Sequence, residues 1–339
     1  MLILFLGLNA KKVYIVPFWS LYHNNGLFNI KSHHFNRDGC NEPFFALKQA
    51  LNKLGYQVQT AYIHQNMHDA EAIIVLDINK QWNQHLKKYK KQKKIALLFE
   101  PRTVRPINYD KGLHDIYDTI FIMDDRFSGE RYRKLYYPQP TIKMIRPVPF
   151  NAKRLCTMIS VNKNSSYKGE LYSERKRAIE YFKNQNFIFY GLGWSKEKYK
   201  NYGGRVPNKL NTLSRFKFCI CYENTSDQPG YITEKMLHSF VAGCVPIYLG
   251  APNVEKHIPS DCFIDKRKFK DYRQLIGFLK SLKENAYEQY LNNIRKFLAF
   301  DKGFKFSIPF FVDSVLKEFV ENFSLSKVFS SKELKKYCS

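Results

Sequence analysis

The chain has 339 residues, 44% of them hydrophobic and 16% aromatic, which is more than a single core usually organises and enough for two. No run of about 18 apolar residues occurs, so no transmembrane helix is expected. The formal net charge of +25 calls for an anionic partner, but no zinc finger, aromatic RNP motif or basic recognition helix is present, and nucleic acid is set aside.

Taken in chain order, the elements alternate between strand and helix. Met1 to Leu8 is apolar, too short for a signal sequence and without a basic segment before it, and reads as a first buried strand. Val13 to Val16 reads as a strand. Glu42 to Leu54 reads as a helix, with Pro43 in its first turn and Gly55 as its stop. Strands follow at Tyr56 to Ile63 and Ala72 to Leu76, a helix at Trp82 to Gln92, and strands at Ile95 to Phe99 and Thr119 to Met123. Pro138, Pro140, Pro147 and Pro149 punctuate a linker. The second half opens with a strand at Leu155 to Val161, a helix at Ser173 to Asn184 and a strand at Phe187 to Tyr190. It continues to helices at Asp271 to Asn285 and Tyr287 to Phe300, and to an apolar-periodic segment at Ile308 to Phe323. Domains are therefore expected at 1–150 and 151–305, with 306–339 a helix and basic tail returning toward the first.

Between these lies the most informative stretch, Lys217 to Gly250. Phe218 to Tyr222 is a short apolar strand, and Glu223 to Gly230 a polar loop. Thr233 can cap a helix that starts with Glu234 and Lys235 and buries Met236, Leu237, Phe240 and Val241 on one face. Gly243 suits the helix end, and Val245 to Leu249 resumes a strand. Ligands in open α/β sheets sit beyond the carboxyl ends of strands and at helix N-termini. Glu223, Asn224, Tyr231, Glu234 and Lys235 are thus expected to converge where an anionic ligand is easiest to hold.

This stretch resembles the donor-binding motif of the glycosyltransferase family 10 α-1,3/1,4-fucosyltransferases: Lys-Phe, apolar residues, Glu-Asn, a loop, Tyr-Ile-Thr-Glu-Lys, a helix, then Val-Pro-Ile-Tyr-x-Gly. The likeness runs on through Ala251-Pro-Asn-Val, Ile258-Pro and Cys262-Phe-Ile-Asp265. It reaches back to Gly191-Leu-Gly-Trp194 and Arg175, about residues 155–300 in all. It implies a GT-B fold, two Rossmann-like domains facing across a cleft, and an inverting transfer of L-fucose from GDP-fucose to an N-acetylglucosamine-containing glycan, with an α-1,3 link. The membrane anchor of Golgi members is not seen here, and the expectation is a bacterial-type soluble enzyme in the cytoplasm, or one from a virus or other source that works inside a cell. Another nucleotide sugar on the same scaffold, or a non-catalytic glycan- or polyanion-binding protein, are the competing readings.

An inverting transfer needs a base for the acceptor hydroxyl and cations for the diphosphate leaving group. Glu100 ends the strand Ile95 to Phe99 and enters the turn Pro101 to Pro106, and a carboxylate there points into the crevice of an open sheet. The resemblance carries the family's general base onto Glu100, with Asp124 and Asp125 next in line. Lys235 is the first cation for the leaving group, and Arg175 is the second by resemblance, with Arg177 its near competitor. Glu223, Asn224, Tyr231 and Glu234 are expected to bond ribose, guanine or fucose hydroxyls, and Gly191 and Gly193 to form a tight turn under the nucleotide.

No Asp-x-Asp motif stands near the donor segment, and His33, His34 and His64 fit no ligand pattern. No metal is expected to be required, a divalent ion at most raising activity by pairing loosely with the diphosphate. The seven cysteines (Cys40, Cys156, Cys219, Cys221, Cys244, Cys262 and Cys338) include no Cys-x-x-Cys and are expected to be reduced core residues. The positive field is best matched by an anionic membrane surface or a lipid-linked or lipopolysaccharide acceptor, with Lys87 to Lys94 its densest run and peripheral attachment at the inner face of a membrane the expected placement.

Overall fold

The computed structural model describes residues 11–206, 208–321 and 323–338. The expected strand at Met1 to Leu8 lies outside the described residues. The chain divides into two compact units. The first holds the described residues up to Glu100 with Arg105–Pro140 and Ile308–Lys335, and the second holds Thr141–Ser307 and takes in Pro101–Val104.

In the first unit the elements are β1 (Lys11–Val16), α1 (Glu42–Lys53), β2 (Tyr56–Thr60), β3 (Ala70–Leu76), α2 (Lys80–Leu86), β4 (Lys93–Leu98), β5 (Thr119–Ile122) and β6 (Tyr132–Lys134). They form one parallel sheet in the order β2-β1-β3-β4-β5-β6. A parallel sheet is covered on both faces, so β3 and β4 read as near-continuous apolar runs, buried from Ala72 to Leu76 and from Lys94 to Leu98. Helix α1 keeps Pro43 in its first turn and buries Leu47, Ala50 and Leu51, and Gly55 leaves it at φ +86°.

Two differences from expectation have physical causes. Helix α2 stops at Leu86 rather than Gln92 because Tyr89 is pulled inward. Its hydroxyl donates to the Gln65 carbonyl at 2.9 Å and accepts from Met67 N–H at 3.3 Å. Strand β6 gave no sequence signal, because it is a three-residue edge whose side chains are only partly covered.

The second unit contains β7 (Arg154–Ile159), α3 (Tyr172–Phe182), β8 (Phe187–Tyr190), α4 (Lys209–Leu213), β9 (Phe216–Tyr222), α5 (Glu234–Val241), β10 (Val245–Leu249), β11 (Ile264–Asp265), α6 (Tyr272–Ser281), α7 (Glu284–Ala299) and α8 (Asp301–Phe304). Its sheet is again parallel, in the order β11-β10-β9-β7-β8. The proline-rich stretch after residue 140 goes with this unit: Ile145 N–H donates to the Val241 carbonyl at 2.8 Å. Helix α9 (Ile308–Leu316) returns to the first unit. There Phe311 packs edge-on against Phe44 of α1 with centroids 6.2 Å apart. Just past α9, the Glu318 carboxylate accepts from Thr119 Oγ1 at 2.7 Å and pairs with Lys93 at 3.2 Å and Arg133 at 3.2 Å, clasping the ends of β4, β5 and β6.

Each sheet has a place where the chain reverses its direction of growth. In the first unit β1 leads through α1 to β2 on one side, while β3 leads through α2 to β4 on the other. In the second, β7 leads through α3 to β8, and β9 leads through α5 to β10. Neighbouring strands whose connections diverge leave a crevice at their carboxyl ends, the usual ligand position of such sheets.

Candidate active site

The crevice of the second unit lies beyond β7 and β9. Strand β9 ends at Tyr222, and the next two residues carry the site. Glu223 has no exposed surface. One carboxylate oxygen accepts from Thr233 N–H at 2.8 Å, and the other accepts from Thr233 Oγ1 at 2.8 Å and Lys235 Nζ at 3.2 Å. The loop is thus stitched to the start of α5. Gly250 makes room for this: a Cβ there would stand 2.6 Å from Glu223 Cγ. Glu223, expected to bond a ligand hydroxyl, has both oxygens engaged by Thr233 and Lys235 in this structure.

At the head of α5, Thr233 caps the helix. Lys235 Nζ donates to Thr233 Oγ1 at 3.0 Å and lies 3.7 Å from Glu234. Burial works against its ammonium, but the Glu223 and Glu234 carboxylates outweigh that and raise it above the ordinary lysine value, with Arg175 opposing. Burial would also raise Glu234, yet Lys235, Lys209 and His238 hold its carboxyl well below the usual range. Lys209 of α4 reaches Glu234 at 3.6 Å. The helix start therefore combines a fixed ammonium with orphan N–H donors, an arrangement suited to a phosphate.

Arg175 sits on α3 and is 5% exposed. Its Nη2 donates to the Tyr222 carbonyl at 2.8 Å, the Glu223 carbonyl at 2.6 Å and Asn224 Oδ1 at 3.0 Å, and its Nη1 donates to Ser160 Oγ at 3.4 Å. Burial lowers its pKa while Glu223 counters it, and a guanidinium stays charged throughout. The side chain therefore spans the ends of β7 and β9 and lays a fixed positive charge beneath the loop. Arg177 is elsewhere: its Nη1 pairs with Glu174 at 2.9 Å and its side chain is 66% exposed. Of the two arginines left open by sequence, Arg175 is the one gathered with Asn224 and Glu223. Asn224 in turn donates through Nδ2 to the Tyr231 hydroxyl at 3.4 Å, and Tyr231 is 2% exposed.

The glycine turn closes another side. Gly191 has φ +136°, and a Cβ there would fall 1.8 Å from the Ser160 carbonyl oxygen, so only glycine fits. Trp194 Nε1 donates to that same oxygen at 2.7 Å, and Asn162 Nδ2 donates to the Gly193 carbonyl at 2.9 Å. Ser160 is the position that sequence reasoning missed, because nothing local marks a serine after an apolar strand; Gly250 was legible as the end of the Val-Pro-Ile-Tyr-x-Gly motif, but not the room it leaves for Glu223.

Glu100 belongs to the first unit, two residues beyond β4. Its turn is held by the buried Asp77, which follows β3 at φ +56°. Asp77 Oδ1 accepts from the N–H groups of Phe99 at 2.9 Å and Glu100 at 3.1 Å and from Asn108 Nδ2 at 2.7 Å. Burial pushes the Asp77 carboxyl up, against those hydrogen bonds. The Glu100 carbonyl accepts from Asn108 Nδ2 at 3.1 Å and from the Tyr109 hydroxyl at 3.2 Å. The alternative carboxylates are engaged: Asp124 in a two-pronged pair with Arg126 and Asp125 with Lys134 at 2.6 Å.

Among the described residues no group of three or more His, Cys, Asp or Glu side chains could hold a metal ion. Cys40, Cys156, Cys219, Cys221, Cys244 and Cys262 are free thiols, all but Cys40 buried. No described helix is long and apolar enough to cross a membrane. Of the run Lys87 to Lys94, Lys87, Lys88, Lys90 and Lys91 are exposed, while Lys94 is buried and Lys93 pairs with Glu318.

The family model for the C-terminal part of glycosyltransferase family 10 (fucosyltransferase) matches residues 151–307. This part of the chain is similar to the family 10 glycosyltransferases. An α-(1,3)-fucosyltransferase of Helicobacter pylori is 38% identical over 87 residues, 25% of this chain and 18% of that protein. The rat 4-galactosyl-N-acetylglucosaminide 3-α-L-fucosyltransferase 9 is 30% identical over 178 residues, 51% of this chain and 44% of that protein. The chain thus spans less than half the length of these curated relatives. Among solved structures, an α1,3-fucosyltransferase superposes with a TM-score of 0.59 at 16% identity, covering 95% of this chain and 94% of that one. The phage T4 β-glucosyltransferase does so with a TM-score of 0.54 at 13% identity, covering 91% and 99%. The fold of the chain is accordingly GT-B, two Rossmann-like α/β units in one polypeptide.

Proposed function

We propose that this protein is an inverting fucosyltransferase that moves L-fucose from GDP-fucose to a hydroxyl of an N-acetylglucosamine-containing glycan, forming an α-1,3 link. The observation that carries this reading is the joining of Arg175, Asn224, Glu223 and Lys235 at the carboxyl ends of β7 and β9 within the part of the chain that the family 10 model matches. Solved α1,3-fucosyltransferases of the same fold were obtained with GDP and with GDP-fucose, which supports the choice of donor.

In the reaction, the diphosphate of GDP-fucose is held by Lys235 and the α5 N-terminus, with the Arg175 charge beneath. Glu100 takes the proton from the acceptor hydroxyl. The acceptor oxygen bonds to fucose C1 from one face as the bond from C1 to the phosphate oxygen breaks on the other, and GDP departs with the bonding electron pair. The cations stabilise the charge that develops on the leaving oxygen more than the ground-state diphosphate, which is how they lower the barrier. Side chains and a helix end supply this stabilisation without a required metal ion. Exposed Lys87, Lys88, Lys90 and Lys91 support attachment to an anionic surface carrying a lipid-linked or lipopolysaccharide acceptor.

The test is a donor screen with GDP-fucose, GDP-mannose and UDP-sugars against an N-acetyllactosamine-type acceptor. Transfer from GDP-fucose alone is expected. Preference for a UDP-sugar would overturn the donor, and binding without turnover of any donor would favour a non-catalytic glycan-binding protein.

A further inference from the structure

The loop that leaves β1 at the crevice of the first sheet is unlike the rest of the chain. Residues 17–36 contain no Asp or Glu and a single lysine, Lys31, in a protein whose charged residues make up 25% of the whole. They are rich instead in aromatic and neutral polar side chains. Trp19, at the start of this loop, is 57% exposed, an unfavourable position for so large an apolar ring.

The ring is nonetheless held. Tyr22, itself 5% exposed, stacks beneath it at 15° with centroids 6.0 Å apart, and Phe18 meets it edge-on at 4.9 Å. The loop is pinned to the end of β2 by a reciprocal pair: Asn25 N–H donates to Thr60 Oγ1 at 2.8 Å and Thr60 N–H donates to Asn25 Oδ1 at 3.0 Å. Exposed Leu21 lies on the same turn, and exposed Tyr62 follows β2 at the same end of the sheet. A propped, solvent-facing indole among neutral hydroxyl and amide groups is the chemistry that receives the apolar face of a pyranose ring while leaving its hydroxyls to polar neighbours.

From this placement we infer that Trp19 is the stacking platform for a neutral sugar ring of the acceptor. The inference rests on the fucosyltransfer reading for the word acceptor. The lack of charge argues for an uncharged polyol over a phosphate or an anionic lipid, since cations lie elsewhere on the same unit, at Lys87 to Lys91. Position agrees: β1 and β3 flank the crevice, and β4, which leads to Glu100, is two strands from β1, a lateral offset of about 10 Å. A ring on Trp19 would then anchor a sugar next to the one that reacts.

The chain has three tryptophans, and Trp82 and Trp194 are buried, so acrylamide quenching of this 339-residue chain reports Trp19. N-acetyllactosamine is expected to protect Trp19 from acrylamide, and GDP alone is not. Trp19→Ala should raise the acceptor KM about tenfold, a loss of roughly 1.4 kcal/mol, while GDP still shifts the melting temperature. Trp19→Tyr, which keeps a platform, should recover part of the loss. Absence of protection with an unchanged acceptor KM in Trp19→Ala overturns the subsite even if transfer proceeds. Protection by phosphatidylglycerol vesicles and not by the saccharide also overturns it, in favour of membrane contact. Protection by the saccharide in a protein that transfers no fucose keeps the sugar subsite and sinks the fucosyltransfer reading instead.

Discussion

Glu223 and Thr233 grip each other twice, at 2.8 Å through the Thr233 N–H and at 2.8 Å through its hydroxyl. This pair joins the end of β9 to the cap of α5, and the oxygen that accepts from the Thr233 hydroxyl also accepts from Lys235. The start of α5 is thus fixed by contacts within the protein, and a preorganised charge is the kind that stabilises a transition state.

Glu223→Gln should therefore cost both stability and donor affinity. The amide cannot accept at both ends, so a buried donor of Thr233 or Lys235 is left unsatisfied, at roughly 1–3 kcal/mol. Denaturant unfolding and GDP calorimetry measure the two losses; an unchanged midpoint with normal GDP affinity would remove Glu223 from this role.

GDP should raise the melting temperature in the presence of EDTA, because the phosphate is met by side chains and a helix end. Lys235→Ala and Arg175→Ala should shrink that shift and lower turnover, whereas Arg177→Ala, which loses only an exposed pair with Glu174, should leave it intact. Loss of the GDP shift on chelation would contradict a metal-free donor site, and an effect of Arg177→Ala equal to that of Arg175→Ala would contradict the assignment of the arginine.

Glu100→Gln leaves in place the hydrogen bonds that the main chain of residue 100 makes with Asp77, Asn108 and Tyr109. Turnover with an N-acetyllactosamine-type acceptor is expected to fall by about 10²–10⁴, the usual worth of a general base, with GDP binding retained. Near-normal turnover would shift the base to Asp124 or Asp125.

Acid should destabilise the protein through His238, in α5 one turn after Glu234. Burial, and then the charge of Lys209, push its pKa down to about 3. Between the ordinary histidine value and about 3, the unfolded chain binds a proton that the folded chain refuses. Stability therefore falls as pH drops through that window, by up to about 1.4 kcal/mol per pH unit. His238→Gln should flatten the slope of melting temperature against pH over this range; an unaltered slope would show that His238 does not control it.

Binding to anionic vesicles, if Lys87, Lys88, Lys90 and Lys91 serve attachment, should weaken as salt rises through the physiological range. Replacing these four by Gln should reduce sedimentation with the vesicles and spare transfer to a soluble acceptor. Equal sedimentation with neutral vesicles would rule out the electrostatic account.

The sequence by itself determined what depends on neighbours along the chain. Apolar runs such as Ile95 to Leu98 and Val245 to Leu249 became strands, Thr233 became a cap, and Gly243 left α5 at φ +63°, because periodicity, capping and positive φ are local properties. The family 10 motif was legible for the same reason, being nearly continuous from Lys217 to Gly250. Only the tertiary structure decided what depends on which strands adjoin. Arg175 and Arg177 are alike in sequence, yet the pairing of β7 with β9 gives one of them the carbonyls of Tyr222 and Glu223 and leaves the other in solvent. The burial of Glu223 required Gly250 from the adjoining strand, and the turn before Glu100 required Asp77 from the end of β3. Trp19 is one aromatic among many until the sheet order places its loop at the crevice between β1 and β3. Charge and hydrogen-bond partners separated by tens of residues are set by packing, and no local pattern encodes them.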